Sequence, residues 1–122
     1  MKEWKRLLKS FSFAWEGIVF TLKSEKNMKI HGAAALCVCM LAWMFDLSKT
    51  EWLIILVTIG GIFSLEMVNT AIERVVDLVA PEFHPLAKIA KDVAAGAVFV
   101  FAIISVIIGA IIFFPHFIVL IS

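Results

Sequence analysis

Residues 3–22 set Trp4, Leu7, Leu8, Phe11, Ala14, Trp15, Ile18 and Val19 at helical steps, with Lys5, Arg6, Lys9, Ser12 and Glu16 between them. Steps of three and four wrap one broad apolar stripe along an α-helix and leave a basic face beside it. With Trp4 and Trp15 suited to the headgroup level, the spacing predicts an interfacial helix over 3–23 that lies along a bilayer. Residues 30–45 are apolar apart from His31. A helix needs about 20 residues to cross about 30 Å of hydrocarbon, so a span over 29–46 is short and draws on Lys29 by snorkelling.

Asp46-Leu-Ser-Lys-Thr-Glu51 then offers a turn residue followed by Ser-x-x-Glu, the pattern of a capping box. A second uncharged run covers 52–65, changes character at Glu66, and meets no helix breaker before Pro81. A helix over 51–79 follows, spanning the bilayer and extending beyond it. The segment Pro81-Glu-Phe-His-Pro85 reads as a compact two-proline turn, after which an uncharged stretch from 93 reaches Pro115 and predicts a third span over 86–114. The expected fold is an all-α integral membrane protein. Residues 1–122 make a single membrane domain, with one interfacial amphipathic helix and three transmembrane helices per protomer.

Composition agrees. Of 122 residues, 62% are apolar and 17% charged, with mean hydropathy +1.01. Soluble domains hold about 45–50% apolar and about 25% charged residues, and so short a chain has too much surface to hide the excess from water. Disorder is excluded as well, because 11 Phe and 4 Trp against 6 Gly and 3 Pro describe a chain that collapses. The N-terminus lacks the apolar core and small-residue cleavage site of a signal peptide. Cys37 and Cys39, about 200° apart on a helix, act as small apolar filler.

Net charge is only +1, yet the charges are segregated. Lys2, Lys5, Arg6, Lys9, Lys23, Lys26 and Lys29 precede position 30, Arg74, Lys88 and Lys91 cluster after the second apolar run, and Lys49 stands alone. By the positive-inside rule, the N-terminus and the connection between the last two spans face the cytoplasm.

The chemistry gathers after position 65. At 100° per residue, Glu66, Asn69, Thr70, Glu73 and Asp77 fall within about 100° of one another on one helix face. Met67, Val68, Ala71, Ile72, Val75 and Val76 cover the rest. A polar ladder therefore runs from inside the bilayer toward the cytoplasm. An ionisable group in hydrocarbon costs several kcal/mol and normally faces protein or a watery cavity. Several carboxylates on one face raise one another's pKa unless a cation or donor intervenes. Lys91 and Asp92, Arg6 and Lys9, and Glu25 lie at the same depth. Carboxylates for a divalent cation, lysine for phosphate oxygens, and a carboxylate able to take a proton from a lipid hydroxyl describe phosphoryl transfer to a lipid. No P-loop or kinase Gly-rich loop occurs, so the residues alone leave the phosphoryl donor open. A proton-linked transporter would also carry intramembrane carboxylates, while a purely structural protein would leave the ladder without a purpose.

The two segments Glu66-x-x-Asn69-Thr-Ala-Ile-Glu73-x-x-Val-Asp77 and Ala90-Lys91-Asp92-x-Ala-Ala-Gly-Ala-Val98 closely resemble the small prokaryotic diacylglycerol kinases. The Lys-Asp-Val-Ala-Ala-Gly-Ala-Val form is similar to the Gram-positive branch, whose members phosphorylate undecaprenol. The resemblance implies a homotrimer with active sites shared between protomers, a lipid alcohol as acceptor, ATP and Mg2+ as cofactors, and no nucleic-acid partner. It implies Glu66 as general base and Glu25 and Glu73 as magnesium ligands. Asn69 orients the polar face, Asp77 belongs to the nucleotide site, Lys91 and Asp92 contact the nucleotide, and Arg6 lies near phosphates and lipid. Glu82, Phe83 and His84 match a Glu-aromatic-His element that meets the nucleotide. His31 and His116 are expected at the membrane edges. Ala95 and His31 depart from the diacylglycerol-specific pattern, which has Ser and an acidic residue there. Sites built to hydrogen-bond a group reject molecules that lack it. Undecaprenol is therefore the expected acceptor and diacylglycerol the alternative.

Overall fold

The structure, a computed structural model, describes residues 2–122 as four helices. These are α1 (Lys2–Ser24), α2 (Lys26–Met44), α3 (Lys49–Val79) and α4 (Pro85–Ile121). The last three are long and apolar enough to cross a membrane. Helix α3 is the centre of the bundle: it packs along α4, against α2, and against the last turns of α1.

Each boundary has a local cause. Residues 2–16 of α1 are exposed throughout, including Trp4, Leu7, Leu8, Phe11 and Trp15, and burial begins only at Gly17. The apolar stripe of residues 2–16 is thus left uncovered by the rest of the chain. Only Glu25 separates α1 from α2, so α2 begins at Lys26, three residues earlier than the hydropathy pattern alone suggests.

Helix α2 ends in a Schellman turn. Leu47 N–H donates to Ala42 O at 3.1 Å and Asp46 N–H to Trp43 O at 3.2 Å, while Asp46 takes φ 52°. Both bonds satisfy carbonyls that a helix end leaves free, and the left-handed residue is the one that glycine would favour. Leu47 is buried with Ala42, Ile55, Ile112 and Phe113 in the core at this end of the bundle. One residue on, Ser48 and Glu51 form the capping box: Glu51 N–H donates to Ser48 Oγ at 3.2 Å, and Ser48 N–H donates to Glu51 Oε1 at 3.0 Å.

Helix α4 runs past Pro115 to Ile121, seven residues beyond the expected end at Phe114. Proline removes the N–H that would serve the Ile111 carbonyl. Ending the helix there would strip several more backbone groups of partners in hydrocarbon. The extension is also anchored. His116 Nε2 lies 3.2 Å from Glu51 Oε2, and the Phe45 ring meets those of Phe113, His116 and Phe117 at 4.9–6.2 Å. His116 therefore holds the α2–α3 turn against α4.

Close packing of α3 on α4 depends on Gly61. A Cβ there would lie 2.3 Å from Phe101 Cζ. Between α2, α3 and α4 an apolar groove of about 310 Å3 remains, lined by residues including His31, Val38, Ile62, Ser105 and Phe113.

Gly61→Ala is expected to lower stability by about 1–3 kcal/mol through overpacking, and Phe101→Leu in the same chain to recover part of it, read as thermal midpoints in detergent. Asp46→Gly is expected to raise the midpoint slightly. Asp46→Val should cost about 1–2 kcal/mol, because a β-branched residue resists the left-handed conformation.

Candidate functional site

The ladder on α3 grades from buried to exposed. Glu66, Asn69 and Thr70 are 3%, 8% and 5% exposed, Glu73 is half-buried and Asp77 is exposed. The same stripe carries buried Ile55 and Ile62 at the core, so the helical period places the acid in register with apolar packing residues. Toward the bundle, α4 contributes small buried side chains, Ala94 and Val98.

Within the ladder, Thr70 Oγ donates to the Glu66 carbonyl at 3.0 Å, and Asn69 Nδ2 donates to Glu73 Oε1 at 3.1 Å. Two buried acceptors, Glu66 Oε2 and Asn69 Oδ1, have no hydrogen-bond partner among the described residues. Buried polar atoms without partners are rare in proteins and mark places where a ligand, ion, water or proton belongs.

Cations answer the acids nearer water. Lys91 Nζ of α4 lies 2.5 Å from Asp77 Oδ1, tying the end of α3 to the start of α4. Asp92 is held at 2.6 Å by Lys88, one turn earlier on the same helix. Glu25 accepts from Arg74 Nη2 at 3.0 Å. Neither Lys88 nor Arg74 is singled out by the motifs. The first was legible as an i, i+4 pair, whereas Glu25 and Arg74 lie 49 residues apart and nothing in either segment's periodicity joins them.

His84 caps α4: its Nδ1 accepts from Leu86 N–H at 3.1 Å, with Pro85 in the first helical position, where its missing N–H costs nothing. A neutral imidazole with Nδ1 as acceptor carries its proton on Nε2, which leaves His84 one donor for a further partner. Glu82 and Phe83 lie exposed on the turn before it. Arg6 and Lys9 sit on the exposed part of α1, so one chain does not bring them to the ladder. His31 is half-buried and faces the apolar groove.

Among the described residues no three His, Cys, Asp or Glu side chains gather into a cage for a metal ion. Mg2+ does not require one. It is commonly held by one or two carboxylates together with phosphate oxygens and water, and the oxygen-only donor set of Glu25, Glu73 and the unpartnered Asn69 Oδ1 suits that hard ion.

Known proteins share much of this sequence. The family model described as prokaryotic diacylglycerol kinase matches residues 12–113. The chain is 54% identical over 113 residues to the undecaprenol kinase of Bacillus subtilis, covering 93% of this chain and 92% of that one. It is 40% identical over 110 residues to a diacylglycerol kinase of Synechocystis, covering 89% of this chain and 63% of the relative. It is 29% identical over 112 residues to the diacylglycerol kinase of Escherichia coli K12, covering 92% of each. The chain belongs to the prokaryotic diacylglycerol kinase family and is a lipid kinase of the membrane.

Proposed function

We propose that residues 1–122 form one membrane domain that transfers the γ-phosphate of ATP to undecaprenol, giving undecaprenyl phosphate and ADP. The observation that carries this reading is Glu66: a carboxylate buried at membrane depth, with one oxygen unpartnered. Such a group is a general base for a hydroxyl presented from the lipid side. It takes the hydroxyl proton as the alcohol oxygen attacks the γ-phosphorus, and the bond to the bridging oxygen of ADP breaks. Asn69 spans Glu66 and Glu73 in sequence and holds Glu73 by its amide. Glu73 and Glu25 would hold Mg2+, which would neutralise phosphate charge. Lys91, Asp77, Asp92, Glu82 and the Nε2 of His84 form the nucleotide side.

The acceptor follows from two lines of support. The Bacillus subtilis relative is an undecaprenol kinase, and Ala95 offers no hydroxyl where a donor would serve the glycerol of diacylglycerol. The apolar groove includes Ile62, one helical turn from Glu66, and its lining suits a hydrocarbon tail. Diacylglycerol is the second acceptor to weigh, because two of the relatives act under that name. A proton-linked transporter would share the buried acids but not the family.

Arg6 and Lys9 stand apart from the ladder of their own chain, so their part in phosphate binding requires a neighbouring protomer. This supports a homotrimer with shared sites. The distribution of Lys and Arg supports a plasma-membrane location with the site on the cytoplasmic side.

Purified protein given labelled ATP, Mg2+ and each lipid in micelles is expected to label undecaprenol in preference to diacylglycerol; labelling of neither by folded protein would refute the reading. Glu66→Gln is expected to lower kcat by about 100-fold or more with nucleotide affinity changed by less than about 3-fold, because it removes a proton acceptor while keeping the side chain's size and leaving the residues of the nucleotide side in place.

A further inference from the structure

Glu25 is the sole non-helical residue between α1 and α2. It occupies the N-cap of α2 with φ −102° and ψ 119°, a position from which side-chain oxygens ordinarily turn inward and accept the free amides of the first turn. Its carboxylate makes no such bond. It turns across to α3 instead, where Arg74 Nη2 donates to Oε1 at 3.0 Å. Oε2 takes no hydrogen bond among the described residues.

Arg74 is itself fixed. Its guanidinium carbon lies 5.5 Å from the centroid of the Phe20 ring on α1, a cation–π contact that limits the side chain's freedom. One cation thus joins α1, the α1–α2 break and α3. The side chains of the pair are 52% and 24% exposed, and exposed ion pairs of this kind stabilise a fold little. The effect of the pair is on direction. The carboxylate has two competing places, the amides of its own helix and the guanidinium of α3, and the second draws it toward the ladder helix.

We propose that Arg74 is the positioning residue for Glu25, holding its carboxylate off the α2 N-terminus through Oε1 so that Oε2 is free for the nucleotide's Mg2+. This rests on Glu25 being a magnesium ligand. The guanidinium's own charge opposes a nearby divalent cation, but the pair is open enough to water for that repulsion to be damped, and the loss of orientation dominates when Arg74 is removed. Residues that orient metal ligands by hydrogen bonds commonly change affinity by about 10–100-fold. Here, with the pair partly exposed, the expected change is about 3–10-fold.

The test is Mn2+ binding by electron paramagnetic resonance, on the full-length protein in micelles with a non-hydrolysable ATP analogue. Arg74→Met is expected to weaken Mn2+ binding by about 3–10-fold with the thermal midpoint unchanged, and Arg74→Lys, which keeps a donor, to recover part of the loss. Glu25→Gln should weaken binding as well, and adding Arg74→Met to it should weaken it no further, since the two act through one contact. Tighter Mn2+ binding in Arg74→Met, a large fall in its thermal midpoint, or an equal further loss in the Glu25→Gln background would each overturn the proposal. If Glu25→Gln weakens binding and Arg74→Met does not, only the role of Arg74 falls. Should Glu25→Gln leave Mn2+ affinity intact, Glu25 is no ligand and both assignments fall.

Discussion

A carboxylate held within a membrane-spanning bundle constrains everything around it. Glu66 has to be shielded from acyl chains, and it is only 3% exposed. Its helix must therefore occupy the middle of the bundle, which α3 does, with the other helices arranged about it. Shielding in turn requires neighbours that approach closely. Gly61 beneath the Phe101 ring and the small side chain of Ala94 let α4 come near. In hydrocarbon, such close backbone approach replaces the hydrophobic drive that packs soluble helices.

The charge gradient along α3 follows from the same constraint. Acids deep in the bundle have no cation, Glu73 being held only by the Asn69 amide, whereas Asp77 meets Lys91 and Glu25 meets Arg74 nearer water. Ion pairs sit where water lowers the expense of separating them from solvent. The unpartnered oxygens of Glu66 and Asn69 lie in the buried part of the ladder. Stability and chemistry are thereby divided along one helix, with the core of Ala42, Leu47, Ile55, Ile112 and Phe113 at the far end carrying packing alone.

Most of the fold was legible because its elements are local. Stepwise apolar spacing in 3–22 and long uncharged runs before Phe45, Leu65 and Pro115 determine four helices, and Ser48-x-x-Glu51 announces its own capping box. The polar face from Glu66 to Asp77 was legible for the same reason, since one helix period relates its members. What the chain did not disclose is whatever joins distant segments. Glu25 meets Arg74 through tertiary packing, and His116 meets Glu51 only because α4 continues through Pro115. Proline is a helix breaker in water, but in lipid the alternative is a set of unsatisfied carbonyls. The left-handed Asp46 was likewise hidden, because aspartate serves ordinary turns as readily as a Schellman end.

Helix α3 is 31 residues long, about 46 Å at 1.5 Å per residue, and it is unbroken from end to end. Glu66 and Asp77 are therefore marks on one rigid ruler, about 16 Å apart along its axis. Inserting a single residue between them would swing every later mark by about 100° and point the water-side acids away from the lipid-side one. Length in this segment is therefore as binding as residue type: an insertion or deletion would split the polar face even with every side chain kept.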